Sequence, residues 1–193
     1  MQAQAAALDD CDRTLQFAMG SSPRKIRDHF GVLTRIKSAG IETENLRLVV
    51  KYGDMASVEL LYNNLNIGYG ELVDLENQNN PGRIYIPFNG ISLVDDYQGK
   101  GLGTLIYLAL AKAAYVNGQI FESSYDINSS ARGVWRRFVR QGLAIDLGRD
   151  QYEFKFEVLQ DSKFQQGVDE LLELFKLRPN EYVHPTGEVR RRP

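Results

Sequence analysis

A chain of 193 residues with 43% apolar and 25% charged side chains has the make-up of a globular domain, and at that size folding buries roughly 70% of the unfolded surface. The same figures argue against collagen-like, disordered and membrane classes, and no stretch reaches the ~18 uninterrupted apolar residues of a membrane helix. A formal net charge of −2 gives no general attraction for polyanions, so nucleic acid is not an expected partner.

Residues 1–20 form an N-terminal segment, Gln- and Ala-rich at its start, expected to be a frayed helix or disordered. It holds the lone Cys11, which has no partner for an internal disulfide. With His29 and His184 far apart in sequence, no cysteine or histidine metal centre is expected. Residues 1–8 carry no positive cluster ahead of an apolar run, so the expected setting is cytoplasmic. Ser22, Pro23 and Gly40 bracket a helix predicted over 24–39, with Ile26, Phe30, Leu33 and Ile36 as its apolar stripe. Strands follow at 47–52, 56–62 and 67–75, separated by Gly53-Asp54 and the Asn63-Asn64 turn. Residues 83–94 read as a strand broken by Pro87 and Asn89-Gly90, where a bulge or splay is expected.

Residues 104–116 are a strong helix stopped by Asn117-Gly118, and 119–123 form a short strand. A second helix covers 129–140, a hairpin pairs 143–147 with 151–159 around Gly148-Arg149-Asp150, and a last amphipathic helix covers 164–177. This order gives a mixed α/β (α+β) domain with a largely antiparallel, twisted sheet and flanking helices. The main domain is expected over 21–160, and 161–193 supply a C-terminal helix and a basic tail. Residues 178–193 carry four Arg and two Glu, which leaves −4 on the rest of the chain. The tail is expected to be extended or disordered alone and, with the C-terminal helix, to serve a protein partner.

Chemistry concentrates between Ile91 and Thr104. Glycines at 99, 101 and 103 follow a strand and open a helix, so the backbone can turn tightly and approach a ligand. Successive N–H groups at a positive helix end suit a diphosphate, with Lys100 as a nearby charge and Gln98 as an amide donor. A P-loop would need Lys-Ser/Thr after its last glycine, but Thr104 follows Gly103 directly. A Rossmann fingerprint fails in both registers, because Thr104 or Ile106 stands where its third glycine belongs, although Glu122 sits near the ribose-binding spacing.

Gln98-x-x-Gly101-x-Gly103 resembles the acyl-coenzyme A diphosphate loop of the GNAT acetyltransferase superfamily. Asn128, Ala131, Val134, Trp135 and Gly142-Leu143 resemble that family's segment after its fifth strand, and the similarity runs over about 84–147. The resemblance implies an acyltransferase that moves an acetyl group from acetyl-CoA to an amine acceptor, a small molecule or a protein. It also implies two strands splayed at a bulge, with the coenzyme arm on main-chain groups of Leu93 and Val94. Gln98, Gly99, Lys100, Gly101, Leu102, Gly103 and Thr104 would hold the diphosphate, and Asn128 would help hold the arm. The family's helix tyrosine falls on Trp135 or Phe138, neither of which protonates a thiolate. Both read as core at helical spacing, which leaves Tyr125 and Tyr97 as nearby phenols. Glu122 is the best placed general base and Glu71 the second.

Arg132, Arg136 and Arg140 line one helix face beside Arg137, and no acid lies between Ile127 and Ala144. That face reads first as solvated, with the coenzyme 3′-phosphate or an acidic partner as the sharper alternatives. The rival to catalysis is a GNAT-fold binding module in a larger assembly, such as a virus particle.

Overall fold

The computed structural model describes residue 28 and residues 30–52, 55–72, 83–85, 90–124, 126–178, 181–183 and 188–191. Within them the chain runs α1 (Val32–Ser38), β1 (Leu46–Lys51), β2 (Ser57–Tyr62), β3 (Leu65–Glu71), β4 (Arg83–Tyr85), β5 (Ile91–Leu93) and α2 (Leu102–Val116). It continues through β6 (Ile120–Glu122), α3 (Ser129–Arg140), β7 (Ala144–Gly148), β8 (Gln151–Phe154), α4 (Phe156–Gln160), α5 (Ser162–Glu173), β9 (Glu181–Val183) and β10 (Val189–Arg191). One antiparallel sheet has the order β1-β2-β3-β5, a second has the order β4-β6-β8-β7, and β9 pairs with β10 alone. Among the described strands, β4 and β6 are the one pair that runs parallel within a named sheet. This is the mixed, largely antiparallel α/β architecture the element order predicts.

The core is organised around α2. Its side chains are buried on nearly every face, from Leu102 through Ala114, and it packs against β2, β3, α1, α4 and α5. So complete a burial needs small residues, and Ala109, Ala111, Ala113 and Ala114 supply them. On the sheet side the room comes from β3. A Cβ on Gly70 would stand 2.5 Å from Ile106 Cγ2, and one on Gly68 would stand 3.1 Å from Ile106 Cδ1. Beyond α2, Trp135, Phe138, Phe121, Tyr152 and Phe154 fill the second half of the core as one ring cluster. Trp135 and Phe138 are therefore packing residues, as their spacing predicts.

Several boundaries differ from the sequence expectation, each for a local reason. The first helix does not run unbroken over 24–39, because Gly31 adopts φ 63° and α1 starts at Val32. There the Asp28 carboxylate accepts the Leu33 and Thr34 N–H groups and caps the new start. The Ser22 and Pro23 start signals lie outside the described residues. The second arm of the hairpin ends at Phe154, and the segment to Gln160 coils into α4, which seats Leu159 in the core. The last helix begins two residues early because the Asp161 carboxylate caps the Phe164 N–H at 2.8 Å. Its expected final turn instead opens onto β1, where the Leu48 N–H donates to the Phe175 carbonyl.

The C-terminal helix packs onto the main domain: Phe164, Val168, Leu171 and Phe175 belong to the same core as α2. The end of the chain is also docked: β9 and β10 form a hairpin in which Glu181 and Val189 are buried. Arg47 on β1 donates Nε and Nη2 to the two Glu181 oxygens at 2.6 Å and 3.0 Å. Their side chains are only 11% and 5% exposed, which makes this a buried ion pair.

Gly70→Ala should cost about 1–3 kcal/mol in urea unfolding, because the added methyl drives against the branched Ile106 side chain. Glu181→Ala should cost about 3 kcal/mol by leaving the Arg47 charge buried without its partner. The Arg47 guanidinium holds the Glu181 carboxyl below its ordinary range, against the opposing effect of burial. The resulting stabilisation is complete above the ordinary glutamate value and is lost as pH falls through the lowered one. Urea midpoints of wild type and Glu181→Gln should therefore converge as pH drops from about 6 to about 3.

Candidate functional site

The broken strand expected over 83–94 is divided between the two sheets. β4 joins β6, whereas β5 pairs with β3. The ladder to β3 uses the Gly90 carbonyl, which accepts from Glu71 N–H, and the Val94 N–H, which donates to the Ile67 carbonyl. Because main-chain groups alternate along a strand, those of Ile91 and Leu93 point to the other edge. Among the described strands β5 has no partner on that edge. β6, with Glu122, belongs to the other sheet, where β4 is the edge strand.

Leu93, Val94 and Gln98 to Thr104 lie on one continuous turn between β5 and α2, but their roles diverge. Both main-chain groups of Val94 are committed, the N–H to Ile67 and the carbonyl to the Tyr97 N–H. The Gln98 amide, expected to face a phosphate, instead donates to the Leu93 carbonyl at 3.1 Å and to Asp95 Oδ1 at 2.7 Å. It acts as a clamp that ties the end of β5 to the turn. Lys100 rests over the Tyr97 ring, and Tyr97 in turn meets Tyr62 edge-on. Leu102 and Thr104 point into the core, so only their main-chain N–H groups face the helix start.

At that start Gly101 is the N-cap, with φ 89°, and no side chain caps the helix. The amides of Leu102, Gly103 and Thr104 have no acceptor within the helix, and no acid lies in its first turn. This is a positive helix end with open donors. Thr104 Oγ1 accepts a hydrogen bond from Arg137 Nη1 of α3 at 3.0 Å, a contact the sequence pattern does not reveal. The basic face of α3 is less solvated than expected, since Arg132 also pairs with Asp150 from the β7–β8 turn.

The remaining expected residues lie elsewhere. Asn128 is the N-cap of α3, its Oδ1 accepting the Ala131 N–H at 2.8 Å. Glu122 is buried on β6, opposite Glu153 of β8 and Tyr85 of β4. Glu71, on β3, accepts a 2.6 Å hydrogen bond from the Tyr69 hydroxyl. That bond, with burial adding to it, pushes the Tyr69 pKa up to about 12. Tyr125, Cys11, His29 and His184 lie outside the described residues. Among the described residues no group of three or more Cys, His, Asp or Glu could hold a metal ion, and no helix is long and apolar enough to cross a membrane.

No family model matches the chain, and no curated protein matches it. Among solved structures, a cAMP-binding acyltransferase from Mycobacterium smegmatis is 17% identical, with a TM-score of 0.37. The likeness covers 66% of this chain and 42% of that one.

The two glycines at the helix start should respond differently to alanine. Gly101→Ala places a Cβ in a left-handed conformation and 3.1 Å from Arg35 Cβ, and should lower stability by about 1–2 kcal/mol. Gly103 sits inside the first turn, where a Cβ would meet only Val134 Cγ2 at 4.0 Å. Gly103→Ala should be neutral or stabilising by up to about 1 kcal/mol. Thermal melts of the two variants check the order.

Proposed function

We propose that the protein is an acyltransferase of the GNAT type that binds acetyl-CoA at the start of α2 and transfers its acetyl group to an amine. The observation that carries this reading is the juxtaposition of an uncapped helix start with the free edge of β5. The first offers N–H donors to a diphosphate, and the second offers the Leu93 main-chain N–H to an extended, amide-bearing arm, the Leu93 carbonyl being held by Gln98. The loop motif Gln98-x-x-Gly101-x-Gly103 supports the same ligand, with Gln98 holding the turn in shape.

Bound acetyl-CoA would supply an activated thioester. The acceptor nitrogen would attack its carbonyl carbon, a C–N bond would form, the C–S bond would break, and the amine would lose a proton. Glu122, on β6 of the second sheet, is the proposed acceptor of that proton, and Tyr125 the proposed donor to the leaving sulfur. Most of the acceleration would come from holding the two reactants in place and from main-chain donors near the carbonyl oxygen. The amine acceptor is of small-molecule or protein type, and the cytoplasm is the proposed setting.

A second reading has its own observation. Trp135 and Phe138 are fully buried, so neither helix position that resembles the family's tyrosine can serve a thiolate. This favours a binding module that keeps the coenzyme site without turnover, within a larger assembly such as a virus particle.

Calorimetry with acetyl-CoA should show saturable binding, weakened by more than about tenfold in Gly101→Glu and Gly103→Glu proteins that still melt cooperatively. Unchanged binding in both defeats the site. Free-thiol release with a panel of amines, above the hydrolysis rate, supports the enzyme. Binding without such release supports the module.

A further inference from the structure

Two arginines outside the glycine motif converge on the start of α2 from two other helices. Arg35 of α1 lies against Gly101, its Cβ and Nε 3.1 Å and 3.3 Å from where a Gly101 Cβ would stand. Its Nε and Nη2 are shut off from solvent, and no hydrogen-bond acceptor reaches either. Asp28, the carboxylate that acts on Arg35, has both oxygens engaged by the Leu33 and Thr34 amides at 3.1 Å and 2.7 Å. Arg137 of α3 reaches the same helix end through Thr104. Burial, and then the Arg137 charge, pull the Arg35 pKa below its ordinary value, with Asp28 opposing.

Two buried guanidinium donors without acceptors are costly, and an arginine cannot escape by giving up its proton. Here they adjoin a second arginine and the positive end of a helix with no acid in its first turn. Asp28, the carboxylate that acts on Arg35, is already engaged by main-chain amides, so these donors lack an anionic acceptor. A phosphoryl group fits best, since its several oxygens can accept from a planar fork and from main-chain amides together.

We infer that Arg35 and Arg137, with the first amides of α2, form a phosphoryl-binding site. Its assignment to a phosphoryl group of coenzyme A rests on the function proposed above, whereas the site itself does not.

Calorimetry with inorganic pyrophosphate, coenzyme A and dephospho-coenzyme A on the full chain tests this, using wild type, Arg35→Met, Arg35→Lys and Arg137→Met. Pyrophosphate and coenzyme A should bind about tenfold or more weakly to Arg35→Met and Arg137→Met, with Arg35→Lys between them and wild type. Ligand-free Arg35→Met should melt at or above the wild-type temperature, because two buried donors without acceptors have been removed. An equal loss for coenzyme A and dephospho-coenzyme A assigns the arginines to the diphosphate. A loss confined to coenzyme A assigns them to the 3′-phosphate. Pyrophosphate binding that depends on both arginines, without coenzyme binding, supports the site and defeats the coenzyme reading. Coenzyme binding indifferent to both arginines does the reverse. The inference is also overturned if wild type binds neither probe, or if Arg35→Met melts well below wild type.

Discussion

The close approach of α2 to β3 sets the rest of the structure. A helix buried on nearly all sides cannot shift or rotate without opening voids, because protein interiors are packed at crystal-like density. Gly68 and Gly70 bring the helix onto the sheet, and Ile106 and Leu110 fill the space their missing side chains leave. Helices α1, α4 and α5 then close around it. The direction of α2 is therefore fixed by its full length, and its first turn inherits that rigidity.

The candidate site depends on this rigidity. Donors that await a ligand are useful only if they hold their places without it, and the amides of residues 102–104 are held by the packing of the residues behind them. The turn before the helix is fixed separately, through Gln98 bridging Leu93 and Asp95. Strand edge and helix start thus belong to one stiff corner. Sequence neighbours supply the corner, but its charge comes from α1 and α3, elements that reach it only through tertiary packing.

That division explains what the sequence discloses. Turn chemistry is local, so Asn63-Asn64, the Gly148-Arg149-Asp150 turn and the glycines closing α1, α2 and α3 are legible directly. A break is legible near Pro87 because proline cannot join a ladder; Pro87 lies outside the described residues, and β4 before it and β5 after it belong to different sheets. Other features need the folded partner. Gly68 and Gly70 look like ordinary strand residues until α2 is laid on them. Gln98 has the chemistry of a phosphate donor, yet a carbonyl and a carboxylate within five residues claim its amide. Arg35 sits on a short amphipathic helix like any solvated cation, and only its contact with Gly101 shows otherwise. The composition of the basic tail does not reveal that one of its two acids, Glu181, pairs with Arg47 of β1.

The pair formed by Arg47 and Glu181 joins residues 134 positions apart. During synthesis the first sheet emerges from the ribosome well before the glutamate that neutralises its edge arginine. Until residues 175–181 have emerged, β1 carries an unanswered charge and lacks the Phe175–Lys176 segment along its side. The nascent domain therefore completes this edge only once Glu181 has emerged, and a chain stalled or clipped before it presents an open strand edge to its neighbours.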